Sequence, residues 1–433
     1  MRLLKFFSIP DLDFSMSYKE GWIKLKNLSN FDKYMTMFWL IGPFIYLIER
    51  DPADLWLTIL GLIFICRCIV KKEWYWVNQL WFKSALLFWF ICLLTSLSGA
   101  DPLFSFQQSF VWIRFPLYAV AAQVWLGKDR DLRILMLISL FIGMLIMCFI
   151  LISEVLMSPY LATIYSQELP WIENKRLSWP YNDLVPGSYL AKVCLPVVLI
   201  LVVIIVNQPN KKGFISLIIS TFAMIVSVLT GERTNLLIKL CSSFFALFSF
   251  KPNLKIILIL ILVQLFALIT LFTFNSDLKS RFTKDIFSQL NIQKEHNEFW
   301  GALRGGIHQA IKTPLNGIGP SGTRNTCKKL DSDEIKWLPG NNYCGNHPHN
   351  FYIQLFAETG IVGFLSGCFM MISIFVTCFK SRKFLPNCPI AATSYIIPLA
   401  LFFPLQQFGS FFGQWGNLFI WFAIGYAISN HQK

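Results

Sequence analysis

Charged side chains are scarce in this chain. Lys, Arg, Asp and Glu make up only 14% of its 433 residues, whereas 55% are hydrophobic and 16% are aromatic. A chain with so few charges cannot cover the surface of a water-soluble fold with polar groups, which excludes a soluble globular protein. The composition therefore predicts an integral membrane protein.

Apolar runs recur along most of the sequence. A hydrocarbon core about 30 Å thick needs roughly 20 mostly apolar residues per helix. We predict an all-α integral membrane protein with about 12 transmembrane helices. The predicted spans are 35–48, 53–70, 80–98, 104–126, 132–157, 187–206, 213–230, 235–250, 254–274, 351–379, 390–405 and 411–428.

Lys and Arg collect in alternate connections, as they do in the cytoplasmic loops of membrane proteins. The basic connections lie within 1–34, 67–72, 128–133, 211–212, 251–255 and 380–383. Both termini are therefore predicted to be cytoplasmic. The net charge of +14 mostly reflects this asymmetry. No groove dense in Lys and Arg with interleaved aromatics indicates nucleic-acid binding.

This topology divides the chain into four parts. Residues 1–34 form a cytoplasmic lead-in, and residues 35–274 hold spans one to nine, with a loop on the opposite, far side at 158–186. Residues 275–350, between spans nine and ten, are the only part polar enough to form a small water-facing domain. Residues 351–433 hold the last three spans and a short cytoplasmic tail.

Two cysteines lie in the large far-side segment. Cys327 and Cys344 are 17 positions apart, and an oxidising compartment such as a periplasm would permit a disulfide between them. A zinc site that also uses His347 and His349 is the weaker alternative, because no CxxC or HxxxH spacing supports it.

Two arginines on the far side are candidate anion ligands. Arg233 lies in the tight turn TGERTN at 230–235, where its guanidinium fork suits a phosphate or diphosphate. An interfacial ion pair with Glu232 is the alternative. Arg304 belongs to an amphipathic stretch at 298–311, predicted to lie on the bilayer surface or to cap the membrane domain. The pattern alone favours a solvated charge there.

His349 and Asn350 directly precede the tenth span. An imidazole titrates near neutral pH, which makes His349 a candidate for acid–base chemistry at a membrane surface. A histidine that only forms a hydrogen bond at the helix end is the alternative, and periodicity slightly favours it. Asn350 is placed to cap the helix, and it is also a candidate substrate-binding residue.

Further polar residues are weaker candidates. Asn182 and Asp183, before span six, are candidate ligands for a sugar or a phosphate. Lys192 and Arg114 lie inside predicted spans, where a charge is costly, so they should face the protein interior or a cavity. His347 is a candidate helper of His349.

Three motifs together resemble the O-antigen ligase and polymerase superfamily. They are TGERTN at 230–235, PLNGIG at 314–319 and HNFYIQLFAETGIVG at 349–363, and they occur in the order of that family. The resemblance covers about residues 180–380. Members are multi-span proteins with a large periplasmic loop before the motif helix.

The resemblance implies an enzyme. Its O-antigen ligases move a glycan from undecaprenyl diphosphate to the lipid A core of lipopolysaccharide at the periplasmic face of the bacterial inner membrane, without a metal or a cofactor. It further implies that Arg233 and, less directly, Arg304 hold the diphosphate and that His349 is the base of an inverting transfer. The lack of a Walker-type phosphate loop agrees, because the donor's phosphoester bond supplies the energy.

Other functions remain as alternatives. A polymerase of the same superfamily would join lipid-linked repeats, but a single dominant loop between spans nine and ten favours a ligase. A transporter or flippase would show internal repeats and substrate-binding charges near the membrane midplane, whereas this sequence shows no repeat and its notable ionisable groups cluster at one face. A scaffold gives no reason for Arg233, Arg304 and His349 to share one face.

Overall fold

The computed structural model describes residues 14–127, 129–164, 176–181, 183, 185–208, 210–250, 252–284, 298–326, 347–384, 390, 393–404 and 409–430. These residues contain helices and no strand. The all-α prediction is therefore confirmed for the part of the chain described.

The helices, in chain order, are α1 (Phe14–Asn27), α2 (Asn30–Leu40), α3 (Gly42–Ile45), α4 (Arg50–Lys71), α5 (Leu80–Leu97), α6 (Pro102–Trp112), α7 (Arg114–Trp125), α8 (Arg130–Ile164), α9 (Pro186–Ser188), α10 (Leu195–Asn207), α11 (Lys211–Leu229), α12 (Arg233–Phe250), α13 (Leu254–Phe274), α14 (Ser276–Phe282), α15 (Glu298–Lys312), α16 (Thr323–Thr326), α17 (Phe351–Phe379), α18 (Ile396–Leu401) and α19 (Gln414–Ser429). Two 3₁₀ turns, Tyr75–Asn78 and Lys380–Phe384, and a π-helical segment, Tyr189–Val193, complete the set.

Most predicted spans coincide with one helix or with consecutive helices, but in the predicted span 390–405 the described residues give bounds only for the six-residue helix Ile396–Leu401. Within the described part of the chain, six helices are long and apolar enough to cross a membrane, namely Arg50–Lys71, Leu80–Leu97, Arg130–Met157, Lys211–Leu229, Leu254–Phe274 and Phe351–Arg382. A seventh candidate consists of Pro186–Val193 and Leu195–Asn207, which meet at a bend of 54°. A multi-pass membrane fold is thereby supported, and twelve crossings remain a prediction.

Proline marks two of the helix breaks. Pro43 lies in the first turn of α3 and Pro196 in the first turn of α10. A proline ring lacks the N–H donor and clashes with the preceding helical turn, so the helix before it cannot continue unchanged. The bend in the span around Pro196 follows from this geometry.

Large aromatic side chains join the first spans to the last helix. The ring centroids of Trp39 and Tyr118 are 4.6 Å apart, and Trp56 stacks on Phe422 at 6.1 Å. These rings belong to α2, α7, α4 and α19, and such pairs stabilise packing by roughly 0.5–1.5 kcal/mol each beyond the burial of their area.

The helices α10 and α13 differ in position although both are strongly apolar. Every residue from Leu195 to Val206 in α10 is buried, which places that helix in the centre of the bundle. In α13 only Leu260 is buried, and Phe266 is 71% exposed. A helix that is apolar all round and exposed is suited to lipid contact, so α13 lies at the periphery.

Candidate active site

The TGERTN turn joins α11 to α12. Gly231 has a φ of +71°, a conformation that favours glycine, and the Thr230 hydroxyl donates to the Ser227 carbonyl at 2.7 Å. Arg233 is the first residue of α12. The turn therefore fixes its backbone at one end of the bundle.

Glu232 connects this turn to the bent span. Its carboxylate accepts hydrogen bonds from the Gly187 backbone N–H at 3.1 Å and the Ser188 hydroxyl at 2.9 Å. It also accepts one from the Asn235 side-chain amide. The starts of α9 and α12 are thereby held together.

Two further arginines, neither of them predicted from the sequence, reach the same turn. Arg281, on α14, donates from Nε to the Gly231 carbonyl at 2.7 Å, and Arg176 donates from Nε to the Thr230 carbonyl at 3.4 Å. Burial lowers the pKa of Arg176. The Glu232 carboxylate raises this pKa, and the Arg281 and Arg233 guanidiniums lower it. Three guanidiniums therefore converge on one turn.

The segment that carries Arg176 is anchored to the bundle. Glu154 of α8 accepts hydrogen bonds from the backbone N–H groups of Ser178 at 2.9 Å and Trp179 at 3.0 Å. The Tyr181 hydroxyl donates to the Tyr46 carbonyl at 2.6 Å. Arg176 therefore extends from a fixed stretch of chain.

His349 directly precedes the helix cap of α17. The Asn350 side-chain oxygen accepts from the backbone N–H groups of Tyr352 at 3.0 Å and Ile353 at 3.2 Å, and its amide donates to the Pro404 carbonyl at 2.9 Å. The predicted cap is therefore confirmed. His349 itself has a φ of +57°, which is uncommon for a residue with a side chain.

The PLNGIG turn fills a break in α17. Gly360 has a φ of +65° inside that helix, and a methyl group on it would lie 2.0 Å from the Leu315 carbonyl oxygen. The Ile361 N–H donates to the Pro314 carbonyl at 2.8 Å, and the Ile318 N–H donates to the Ala357 carbonyl at 3.0 Å. Two motifs separated in sequence thus form one interlocked structure.

Seven ionisable side chains meet around one cavity of about 470 Å³. They are Arg176, Lys192, Glu232, Arg233, Arg281, His347 and His349. The His347 and His349 ring centroids lie 4.3 Å apart. The structure therefore brings four predicted residues, Lys192, Arg233, His347 and His349, into one cavity. The arrangement combines anion-binding groups with imidazoles that can accept or donate a proton.

Residues 187–368, which include most of these side chains, match the family model described as O-antigen ligase. They form an O-antigen ligase family domain. The resemblance to the O-antigen ligase and polymerase superfamily is thus confirmed. No curated protein matches the chain significantly.

Within the O-antigen ligase family domain, Arg304 lies apart from the cavity lining described above. It is half-buried on α15, which packs against α17. At 100° per residue, Arg304 lies on the other side of that helix from the buried Ala302, Gly306 and Ala310. Its role as a diphosphate ligand stays a prediction.

Two other candidates form contacts of their own. Arg114 pairs with Asp54 at 2.8 Å, so it faces the protein interior as expected. Asp183 is exposed and accepts a hydrogen bond from the Trp415 indole at 2.8 Å. Asn182, Cys327 and Cys344 lie outside the described residues, so the predicted disulfide and the Asn182 contact stay predictions.

Glu358, which was not predicted as a site residue, is a buried acid in the O-antigen ligase family domain. Its carboxylate accepts hydrogen bonds from the Ser321 N–H at 2.8 Å, the Thr323 hydroxyl at 2.7 Å and the Gln354 amide at 3.1 Å. It therefore fastens the chain after the PLNGIG turn to α17. An ionisable residue inside an apolar run is itself a signal of a specific role.

No feature of the sequence marks Arg176 or Arg281 as a functional residue. Both flank predicted spans on the far side, as several other polar residues do. Neither helical periodicity nor hydropathy distinguishes them from solvated charges.

Proposed function

We propose that this cavity transfers a glycan from undecaprenyl diphosphate to the lipid A core of lipopolysaccharide, at the periplasmic face of a bacterial inner membrane. The observation that carries the proposal is the shared cavity of Arg233 and His349 inside an O-antigen ligase family domain. The family supports a ligase or polymerase activity, and the choice of acceptor is our proposal.

The donor end of the reaction needs positive charge. When the bond between the anomeric carbon and the diphosphate oxygen breaks, negative charge builds on the leaving undecaprenyl diphosphate. A preorganised guanidinium, which can form two parallel hydrogen bonds to phosphate oxygens, stabilises that charge. We assign this role to Arg233, with the buried ammonium of Lys192 adding positive charge in the same cavity.

The acceptor end needs a base. As the acceptor hydroxyl oxygen bonds to the anomeric carbon from the opposite face, its proton passes to the neutral imidazole of His349. The configuration at that carbon is therefore inverted. The Asn350 cap fixes the backbone that carries His349, and His347, 4.3 Å away between ring centroids, is placed to assist it.

The test is a reconstituted transfer with His349→Ala. Purified full-length protein is incubated with lipid-linked glycan and core lipid, and the glycosylated core is measured. Loss of a general base predicts a fall in turnover of about 100-fold or more. His308→Ala is the matched control, because His308 lies on α15 and is not among the described residues that line the cavity.

The same assay, run without the core lipid, shows which acceptor the enzyme uses. A ligase leaves the donor unextended, whereas a polymerase builds longer lipid-linked chains. Full turnover by His349→Ala would refute its role as the base, and extension of donor on donor would replace the ligase with a polymerase.

A further inference from the structure

The cavity holds more positive than negative charge. Arg176, Lys192, Arg233 and Arg281 line it, whereas Glu232 is the one carboxylate among its described lining residues. Glu232 already accepts hydrogen bonds from three neighbours. Neighbouring like charges repel one another, so such a cluster is suited to an anion that carries more than one charge.

Gly231 is the point on which two of these arginines converge. A Cβ atom on Gly231 would lie 3.0 Å from Arg281 Nε and 3.1 Å from Arg176 Cγ. The two side chains therefore lie closely against the bare backbone of the turn. The next residues along the chain are Glu232 and Arg233, so all three guanidinium groups belong to one small region.

Hydrogen bonds from Nε orient both arginines. Arg281 Nε donates to the Gly231 carbonyl at 2.7 Å, and Arg176 Nε donates to the Thr230 carbonyl at 3.4 Å. A guanidinium is planar and rigid, so fixing Nε limits where its two terminal nitrogens lie. Oriented guanidinium groups suit the fixed geometry of phosphate oxygens better than flexible ammonium groups do.

We propose that Arg176 and Arg281 are substrate-binding residues that hold, together with Arg233, the diphosphate of the lipid-linked donor. This inference rests on the function proposed above. It adds ligands from two separate stretches of chain, one before the O-antigen ligase family domain and one on α14 after α13. Donor binding would then fasten three segments to one ligand.

The electrostatic surroundings of Arg176 agree with this assignment. Its pKa is lowered by burial, raised by Glu232, and lowered by Arg281 and Arg233. The negative charge of a bound diphosphate would raise the pKa of Arg176 and so offset the contributions that lower it. The same anion would relieve the repulsion among the three guanidiniums.

The test measures binding rather than turnover. A short-chain polyprenyl diphosphate and the matching monophosphate are titrated into full-length protein in nanodiscs, with Arg176→Gln, Arg281→Gln and Arg233→Gln. Loss of a hydrogen bond to a charged group predicts a diphosphate Kd weaker by about 10- to 100-fold for each variant. A smaller change is expected for the monophosphate. Arg324→Gln, at an exposed arginine on α16 outside the cavity lining, is the matched control.

Thermal unfolding of the same samples separates ligand binding from a structural role. If Arg176→Gln and Arg281→Gln lower the unfolding temperature but leave the diphosphate Kd unchanged, this inference is wrong. If only Arg233→Gln weakens binding, the proposed function stands and this inference fails. If none of the three variants weakens binding, the proposed diphosphate site itself fails.

Discussion

Replacing Glu358 by Ala should release the chain after the PLNGIG turn from α17. The carboxylate is fully buried and accepts three hydrogen bonds of 3.1 Å or shorter, from Ser321, Thr323 and Gln354. The substitution leaves these donors without their acceptor. A buried unsatisfied donor costs about 1–3 kcal/mol, so three of them would cost about 3–9 kcal/mol.

Water that enters the vacated space would recover part of this cost. We therefore expect the free energy of local opening to fall by about 3 kcal/mol, near the lower limit of this range. This fall corresponds to roughly a 100-fold larger equilibrium constant for local opening. Glu358→Gln keeps the size of the side chain and one acceptor oxygen. It should show a smaller change, because one oxygen can still accept part of these hydrogen bonds.

Limited trypsin digestion measures this opening directly. Arg324 is exposed on α16, within the segment that Glu358 holds, and cleavage after it can be identified by mass spectrometry. When opening and reclosing are fast, the cleavage rate follows the population of the open form. Glu358→Ala should therefore be cut at Arg324 up to about 100 times faster than wild type. An unchanged cleavage rate, together with unchanged transfer activity, would refute the proposed fastening role.

Two further predictions concern the backbone of α17. Gly360→Ala should reduce the yield of monodisperse protein in size-exclusion chromatography, because its methyl group would lie 2.0 Å from the Leu315 carbonyl oxygen. Gly305→Ala is the control and should leave this yield unchanged, because its methyl group meets no atom within 4 Å. Asn350→Ala should lower the free energy of unfolding by about 1–2 kcal/mol through loss of the cap, measured by denaturation in detergent, and Asn350→Ser should recover most of that loss. An equal yield for both glycine variants, or an unchanged stability for Asn350→Ala, would contradict these two predictions.

The six long apolar helices were predictable because membrane insertion requires long apolar runs, and hydropathy measures those runs directly. The breaks inside apolar runs were harder to predict. The run 351–379 contains the break at Gly360, and the run 104–126 is two helices that meet at Ile113. A hydropathy average over many residues does not register a change in the φ angle of one residue.

The residues of the candidate site were predictable where they belong to a local sequence motif. Arg233 and His349 were identified from their motifs, and the structure places both around one cavity. Arg176 and Arg281 were missed because their importance depends on tertiary contacts with Gly231 and Thr230. For Arg304, periodicity predicted an amphipathic helix but not which neighbour each face of that helix would meet.

The break at Gly360 has a consequence for biogenesis. A backbone N–H or carbonyl group left unpaired in lipid costs several kcal/mol, and the groups around this break are paired with residues 314–319. Because that partner segment precedes α17 in the chain, it is synthesised first. Its hydrogen-bonding groups are therefore present when α17 is made, and α17 completes its backbone hydrogen bonds by packing against them.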